Sequence, residues 1–144
     1  MTVQAILRQK RSNAVATMTP DASVGDCVAE LAAKKIGAVV ITRDGETVEG
    51  IVSERDIVRT LAEHGAGGLA KPLSTVMTTT VKTASLDDRS TEILGVMSQG
   101  RFRHLPVMVD GKLHALISIG DVVQFRISEM EMERTALEDM VKGF

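Results

Sequence analysis

The sequence contains no tryptophan, no tyrosine and only three phenylalanines. Single-stranded nucleic acids are held by stacking bases on exposed aromatic rings, so a partner of that kind would find almost nothing to stack on. Cysteine is nearly absent too. Cys27 stands alone, which excludes an internal disulfide and a cysteine-built zinc site. His64, His104 and His114 are scattered, so they offer no structural zinc cluster either. No apolar run reaches the length of a membrane span, and residues 1–11 lack the apolar block of a signal peptide. An excess of one charge is missing as well: 17 Lys and Arg oppose 19 Asp and Glu, for a formal net charge of -2. Such a balance argues against nucleic acid or an anionic membrane bound through bulk charge, while leaving room for a local basic pocket. There is no G-x-S-x-G nucleophile elbow and no G-x-x-x-x-G-K-[ST] phosphate loop. These absences lead us to expect a cytoplasmic chain that stays off membranes and is not an enzyme.

What is present is a hidden duplication. The chain has 144 residues and is 44% hydrophobic, enough for one domain or two small repeats. Laid against itself, Ala14–Thr17 falls on Thr80–Thr83, Asp21 on Asp87, and Asp44-Gly45 on Asp110-Gly111. One residue is dropped after that turn, and Ser53-Glu-Arg-Asp56 then falls on Ser118-Ile-Gly-Asp121. The local patterns agree. Val24, Cys27, Val28 and Leu31 follow helical spacing, as do Ile93, Leu94 and Met97. Asp21 or Ser23, and Asp87 or Asp88, are suited to cap these helices. Apolar strands follow at 38–41 and 105–109. Asp-Gly turns lead to return strands at 48–52 and 113–117. Each unit thus reads strand, helix, strand, strand, helix, an α/β (α+β) architecture of two pseudo-symmetric β-α-β-β-α repeats. We expect an N-terminal segment 1–13, a first repeat 14–63, a Gly- and Pro-containing flexible linker 64–75, a second repeat 76–124 and a long helical extension 125–144.

Two features carry chemistry. Ser53-x-x-Asp56 and Ser118-x-x-Asp121 stand where a strand ends and a helix begins. The residues fit a capping box, in which the hydroxyl accepts a first-turn N–H and the acid favours the positive helix end. They fit a ligand site equally well. A helix N-terminus attracts phosphate, and a carboxylate has two acceptor oxygens for the two hydroxyls of a ribose. The second feature is Arg101-Phe102-Arg103-His104, in which two guanidiniums at alternate positions suit phosphate binding. It fits a solvated basic loop as well. The first copy has Lys35, Gly37 and Ala38 at the corresponding places, so any phosphate chemistry is lopsided. Cys27, on the apolar stripe of a helix, reads as core. The Met-rich stretch 129–138 reads as a solvated face or a dimer contact.

Residues 14–124, through Gly50–Arg59, Val76-Met-Thr78, Arg103–Val107 and Ala115–Val123, resemble a tandem CBS (cystathionine-β-synthase) domain pair, or Bateman module, of the stand-alone bacterial type. Ala115 departs from the pattern, standing where the first repeat has Gly50. The resemblance implies two repeats packed sheet to sheet and up to two clefts for adenosine nucleotides. AMP is the expected ligand, with ADP, ATP or NAD(H) as alternatives. It implies that Asp56 and Asp121 hold ribose and that Ser53 and Ser118 lie near phosphate, with Arg55, Ile119 and Gly120 inside the same two motifs. It further implies that Thr17 and Thr83 line the pockets. Ile36, Gly37, Ala38 and Val39 in one repeat, and Arg101, Arg103, His104 and Leu105 in the other, surround adenine or phosphate. It also implies a homodimeric four-repeat disc and an effector protein as partner. A dimerisation module with vestigial sites is the structural alternative.

Overall fold

The computed structural model describes residues 1–10 and 13–143. Arg11, Ser12 and Phe144, parts of the N-terminal segment and C-terminal extension named above, lie outside the described residues.

In the first repeat, β1 (Thr17–Met18) runs parallel to β2 (Ala38–Ile41), which pairs antiparallel with β3 (Gly50–Ser53). Helix α2 (Val24–Lys34) connects β1 to β2 and α3 (Glu54–His64) follows β3. The second repeat repeats this order with α5 (Ser90–Gly100), β4 (His104–Val109), β5 (Lys112–Ser118) and α6 (Ile119–Lys142). Its first strand shrinks to a single parallel bridge between Ala84 and Val107. The tight turn at Asp110-Gly111 has positive φ at both residues, 53° and 76°, as a two-residue hairpin requires. The longer first hairpin places only Gly45 in that region, and Asp44 organises it by accepting from the N–H groups of Glu46 and Thr47. These two bonds hold the Asp44 carboxyl well below its usual range.

Each repeat has its own core. In the first, Val24, Cys27, Val39, Ile41 and Val52 are sealed from solvent. Burial pushes the Cys27 thiol up to about 11, which keeps it protonated and unreactive at neutral pH. In the second, Leu105, Val107, Ala115, Ile117 and Val122 play the same part. Ala115 is fully buried. Gly50, its counterpart, has a different neighbour: a Cβ there would stand 2.9 Å from the Thr78 carbonyl and 2.7 Å from the Met77 sulfur. The chain crosses the edge of β3 at that point, with Ile51 and Thr78 exchanging N–H···O bonds of 3.0 and 2.8 Å.

Two segments behave differently from the expectation above. The N-terminal stretch contains a helix, α1 (Val3–Gln9), whose Val3, Ile6 and Leu7 are buried in the core of the second repeat. The stretch expected to be a flexible linker is folded. A 3₁₀ helix over Gly65–Ala70 packs on α3 and α2, and α4 (Leu73–Val76) buries Leu73 and Val76 in the core of the first repeat. The reason is physical: Gly68 lets the chain pass close to Thr60, and the apolar residues beyond it need cover. The two crossings are related. Val3 N–H donates to the Asp88 carbonyl and Leu73 N–H to the Ala22 carbonyl, at equivalent positions. The segment before each repeat therefore closes the other repeat's core.

Candidate functional site

Both Ser-x-x-Asp motifs stand at a strand–helix junction, as their spacing requires. Ser118 caps α6 by accepting from the Asp121 N–H at 3.1 Å, while the Ser118 N–H donates to the Asp121 carboxylate at 2.8 Å. Ser53 caps α3 with a different pattern. Its N–H and its hydroxyl both donate to Asp56 Oδ2, at 2.9 and 3.2 Å. Asp56 Oδ1 accepts from Arg59 at 2.8 Å and from the Thr78 hydroxyl at 3.2 Å. Asp56 is 4% exposed, so this carboxylate is buried and fully engaged.

A cleft opens over each motif, and each is built from both repeats. The first, of about 290 Å³, runs from Ile51, Ser53 and Asp56 across to Thr80–Lys82 and Gly100–His104. The second, of about 580 Å³, runs from Leu116, Ser118 and Asp121 across to Ala14–Ala16 and Lys34–Ala38. Much of the two linings corresponds under the duplication: Ser53 and Asp56 with Ser118 and Asp121, and Thr80–Lys82 with Ala14–Ala16. The docking contacts correspond too: Glu54 N–H donates to the Gly37 carbonyl at 3.0 Å and Ile119 N–H to the Arg103 carbonyl at 2.8 Å. Gly37 and His104 border both clefts, where these contacts meet.

The electrostatics are unequal. The first cleft is lined by five cations, Arg55, Arg59, Lys82, Arg101 and Arg103, against Glu54 and Asp56. Arg59 is tied to Asp56. Among the described residues the other four make no ion pair, so their charge is free to act on an anion. The second cleft holds Lys10, Lys34 and Lys35 against Asp121. There Lys10 pairs with Asp121 at 2.9 Å. Against the upward push of partial burial, the Ser118 N–H and Lys10 hold the Asp121 carboxyl below its usual range.

His104 sits between the clefts with its pKa lowered, mainly by burial, although Asp121 and Glu54 pull the other way while Arg103 and Lys10 reinforce the drop. A histidine held neutral in the fold stabilises it fully above its ordinary value of 6.5 and progressively less as pH falls below it. We expect the melting temperature to fall between pH 7 and pH 5 more for the native chain than for His104→Gln. Parallel thermal melts across that range check it, and identical slopes would remove His104 from the account.

Lys35 and Arg101 occupy equivalent positions at the ends of α2 and α5, with φ of 54° and 57°. A side chain in this left-handed region costs about 1–2 kcal/mol. Glycine would relieve it, yet both positions carry cations that face a cleft. Arg101→Gly is therefore expected to stabilise the fold by about 1 kcal/mol, raising Tm by about 3 °C. The same variant is expected to weaken anion binding in the first cleft about tenfold. Melting and titration calorimetry on one preparation measure both effects.

The residues singled out from the sequence divide as follows. Gly37, Ser53, Arg55, Asp56, Arg101, Arg103 and His104 line the first cleft, and Ile36, Gly37, Ala38, His104, Ser118 and Asp121 line the second. Val39 and Leu105 do not. Both are fully buried in the cores, because β2 and β4 are covered on both faces there. Thr17 and Thr83 are exposed and lie just beyond the lead-in segments that line the clefts, Ala14–Ala16 and Thr80–Lys82. Ile119 and Gly120 lie outside both linings, with Ile119 packed against the second core. Sequence reasoning missed Lys10, Arg59, Thr78 and Lys82. Arg59 stood three residues after Asp56, one helical turn away, and was legible; the other three reach their clefts only through the fold.

Fold and site together define a pseudo-symmetric repeat pair with two crossed, cation-lined clefts, each opening on a helix-capping carboxylate. The sequence signature of the CBS domain matches twice, over residues 11–63 and 73–128, and the chain belongs to this family as a CBS domain pair. It is similar to the CBS-domain containing protein ATU1752 from Agrobacterium tumefaciens, whose crystal structure shares 40% identity and a TM-score of 0.84 over 88% of this chain and 99% of that one. The protein YlbB of Bacillus subtilis is 35% identical over 84% of each chain. The mitochondrial CBS domain-containing protein CBSX3 of Arabidopsis thaliana is 30% identical over 87% of this chain, which spans 63% of that protein. Of CBSCBSPB2 from the same plant it spans 23%. A structure of CBSX2 in complex with AMP matches at 25% identity and a TM-score of 0.74, over 90% of this chain and 98% of that one.

Proposed function

We propose that this CBS pair is a regulatory module that binds an adenosine nucleotide of the AMP type and passes its occupancy to a partner protein. One observation carries the reading: a buried carboxylate at the N-terminus of α3 faces a group of free cations across a cleft of about 290 Å³. The carboxylate suits a ribose diol and the cations suit a phosphate. That volume lies at the small end of ligand pockets and favours a mononucleotide. Ile51, Val81 and Phe102 supply apolar cover for a base. Binding rather than catalysis is the output, since the hydroxyls that reach a carboxylate, those of Ser53 and Thr78 on Asp56, serve the α3 cap and the crossing segment. The AMP complex of the related CBSX2 supports the choice of ligand.

A second reading, a dinucleotide such as NAD(H), draws on one feature, the meeting of the two clefts at Gly37 and His104. Titration calorimetry with AMP, ADP, ATP and NADH separates the two. Tighter binding of AMP than of NADH supports the first, the reverse supports the second, and no binding or thermal shift at millimolar nucleotide rejects both. The module also has a surface suited to a second copy. Ile127, Met130, Leu137 and Val141 are exposed along α6, and a homodimer would cover them. No helix among the described residues is long and apolar enough to cross a membrane.

A further inference from the structure

The two clefts match in shape but differ in what holds their carboxylates. The crossing segment before the second repeat brings a neutral donor, the Thr78 hydroxyl, to Asp56. The crossing segment before the first repeat brings a cation, Lys10, to Asp121 at 2.9 Å. Lys10 also donates to the Leu116 carbonyl at 2.8 Å, so its ammonium is bound at two points inside the second cleft. Its side chain and that of Asp121 are each only 24% exposed, which shields the pair from water. Lys10 is not a loose tail either. It follows α1 directly, and the Lys10 N–H closes that helix on the Ile6 carbonyl, while Val3, Ile6 and Leu7 anchor α1 in the second core.

We infer that Lys10 is a built-in occupant of the second cleft. Its ammonium engages the Asp121 carboxylate that a ligand's hydroxyls would need. The first cleft has a cation on its carboxylate as well, but the Arg59 side chain is 58% exposed, against 24% for Lys10. The second cleft is the larger, so its volume does not keep a nucleotide out. Lys10 is what holds its carboxylate against one. A nucleotide reaches the Asp56 carboxylate by displacing an exposed guanidinium and a neutral hydroxyl, and reaches the Asp121 carboxylate only by breaking a shielded, charge-assisted pair. Filling the second cleft then frees the end of α1, which touches α6, and this links occupancy of the second cleft to the helix extension.

This inference rests on the AMP reading above, and the experiment separates the two. Titration calorimetry with AMP is run on the native chain, Lys10→Met, Lys10→Arg and Lys10→Met/Asp121→Asn. Methionine keeps the apolar stem and removes the ammonium. The native chain is expected to bind one AMP at the Asp56 cleft, with any second site at least about tenfold weaker. Lys10→Met strengthens the second site about tenfold, Lys10→Arg leaves it weak, and adding Asp121→Asn removes the gain. An unchanged or weakened second site in a folded Lys10→Met chain overturns the inference and leaves the AMP reading standing. Native protein that binds no AMP overturns the AMP reading. In that case AMP binding by Lys10→Met alone upholds the occupant role, and its absence there overturns that role too. A stability cycle across Lys10→Met and Asp121→Asn gives a ligand-free readout, and zero coupling between the two also overturns it.

Discussion

Asp56→Ala is expected to lower AMP affinity about a hundredfold and to weaken the fold in the same step. The affinity loss follows from removing a carboxylate that takes two ribose hydroxyls, each charge-assisted bond contributing about 1.5–3 kcal/mol. The stability loss follows from the groups left behind. Ser53 N–H and the Thr78 hydroxyl both donate to this side chain, and the Ser53 N–H is half-buried. An orphaned buried donor costs about 1–3 kcal/mol, and a half-buried one falls at the low end, about 1 kcal/mol. Asp56→Asn separates the two effects: its amide oxygen still accepts the Ser53 N–H, so stability recovers further than affinity. Calorimetry and thermal melts on both variants check this. Equal AMP binding by native and Asp56→Ala protein would remove Asp56 from the site.

Leu73→Ala is expected to destabilise the chain by about 3 kcal/mol, a fall in Tm of about 10 °C. Leu73 lies in the glycine-rich stretch between the repeats, where a flexible connector would tolerate almost any change. It is instead fully buried, among Val24, Cys27, Ile57 and Val76 of the first core. Truncation there leaves a cavity that the surrounding helices close only in part. Leu69→Ala, four residues earlier and 40% exposed, is the control and is expected to change Tm by little. A Leu73→Ala chain that melts with the native protein would mean that α4 is not part of the cooperative fold. Chemical denaturation of both variants measures the difference directly.

Much of the local structure was legible because it depends on neighbours in sequence. The Asp-Gly turns, the Ser-x-x-Asp caps and the apolar stripe of α2 each involve contacts within a few residues. The helix α1 carried the same kind of signal in Val3, Ile6 and Leu7, and its short length hid it. The folded connector was hidden differently. Its glycines signal freedom when read locally, and only the packing of Gly68 against Thr60 shows why one of them is needed. Val39 and Leu105 illustrate a third limit. A short apolar strand does not declare which residues face a cleft when both of its faces are covered.

The duplication, the carboxylate at the head of each final helix, the basic run before the second repeat's strand and the scarcity of aromatic rings were all fixed by the order of residues. That order fixed the chemistry on offer: acceptors for hydroxyls, cations for an anion, and aliphatic cover for a base. The tertiary structure decided which of these groups meet. The docking of the two repeats sets Arg101 and Arg103 in the cleft of Asp56 rather than that of Asp121, and the segment crossing before the first repeat brings Lys10 to Asp121. The physical reason is that each repeat's core is completed by the segment that precedes the other. Burying those apolar residues carries distant polar groups to the clefts, and nothing in the sequence near either carboxylate records that they will arrive.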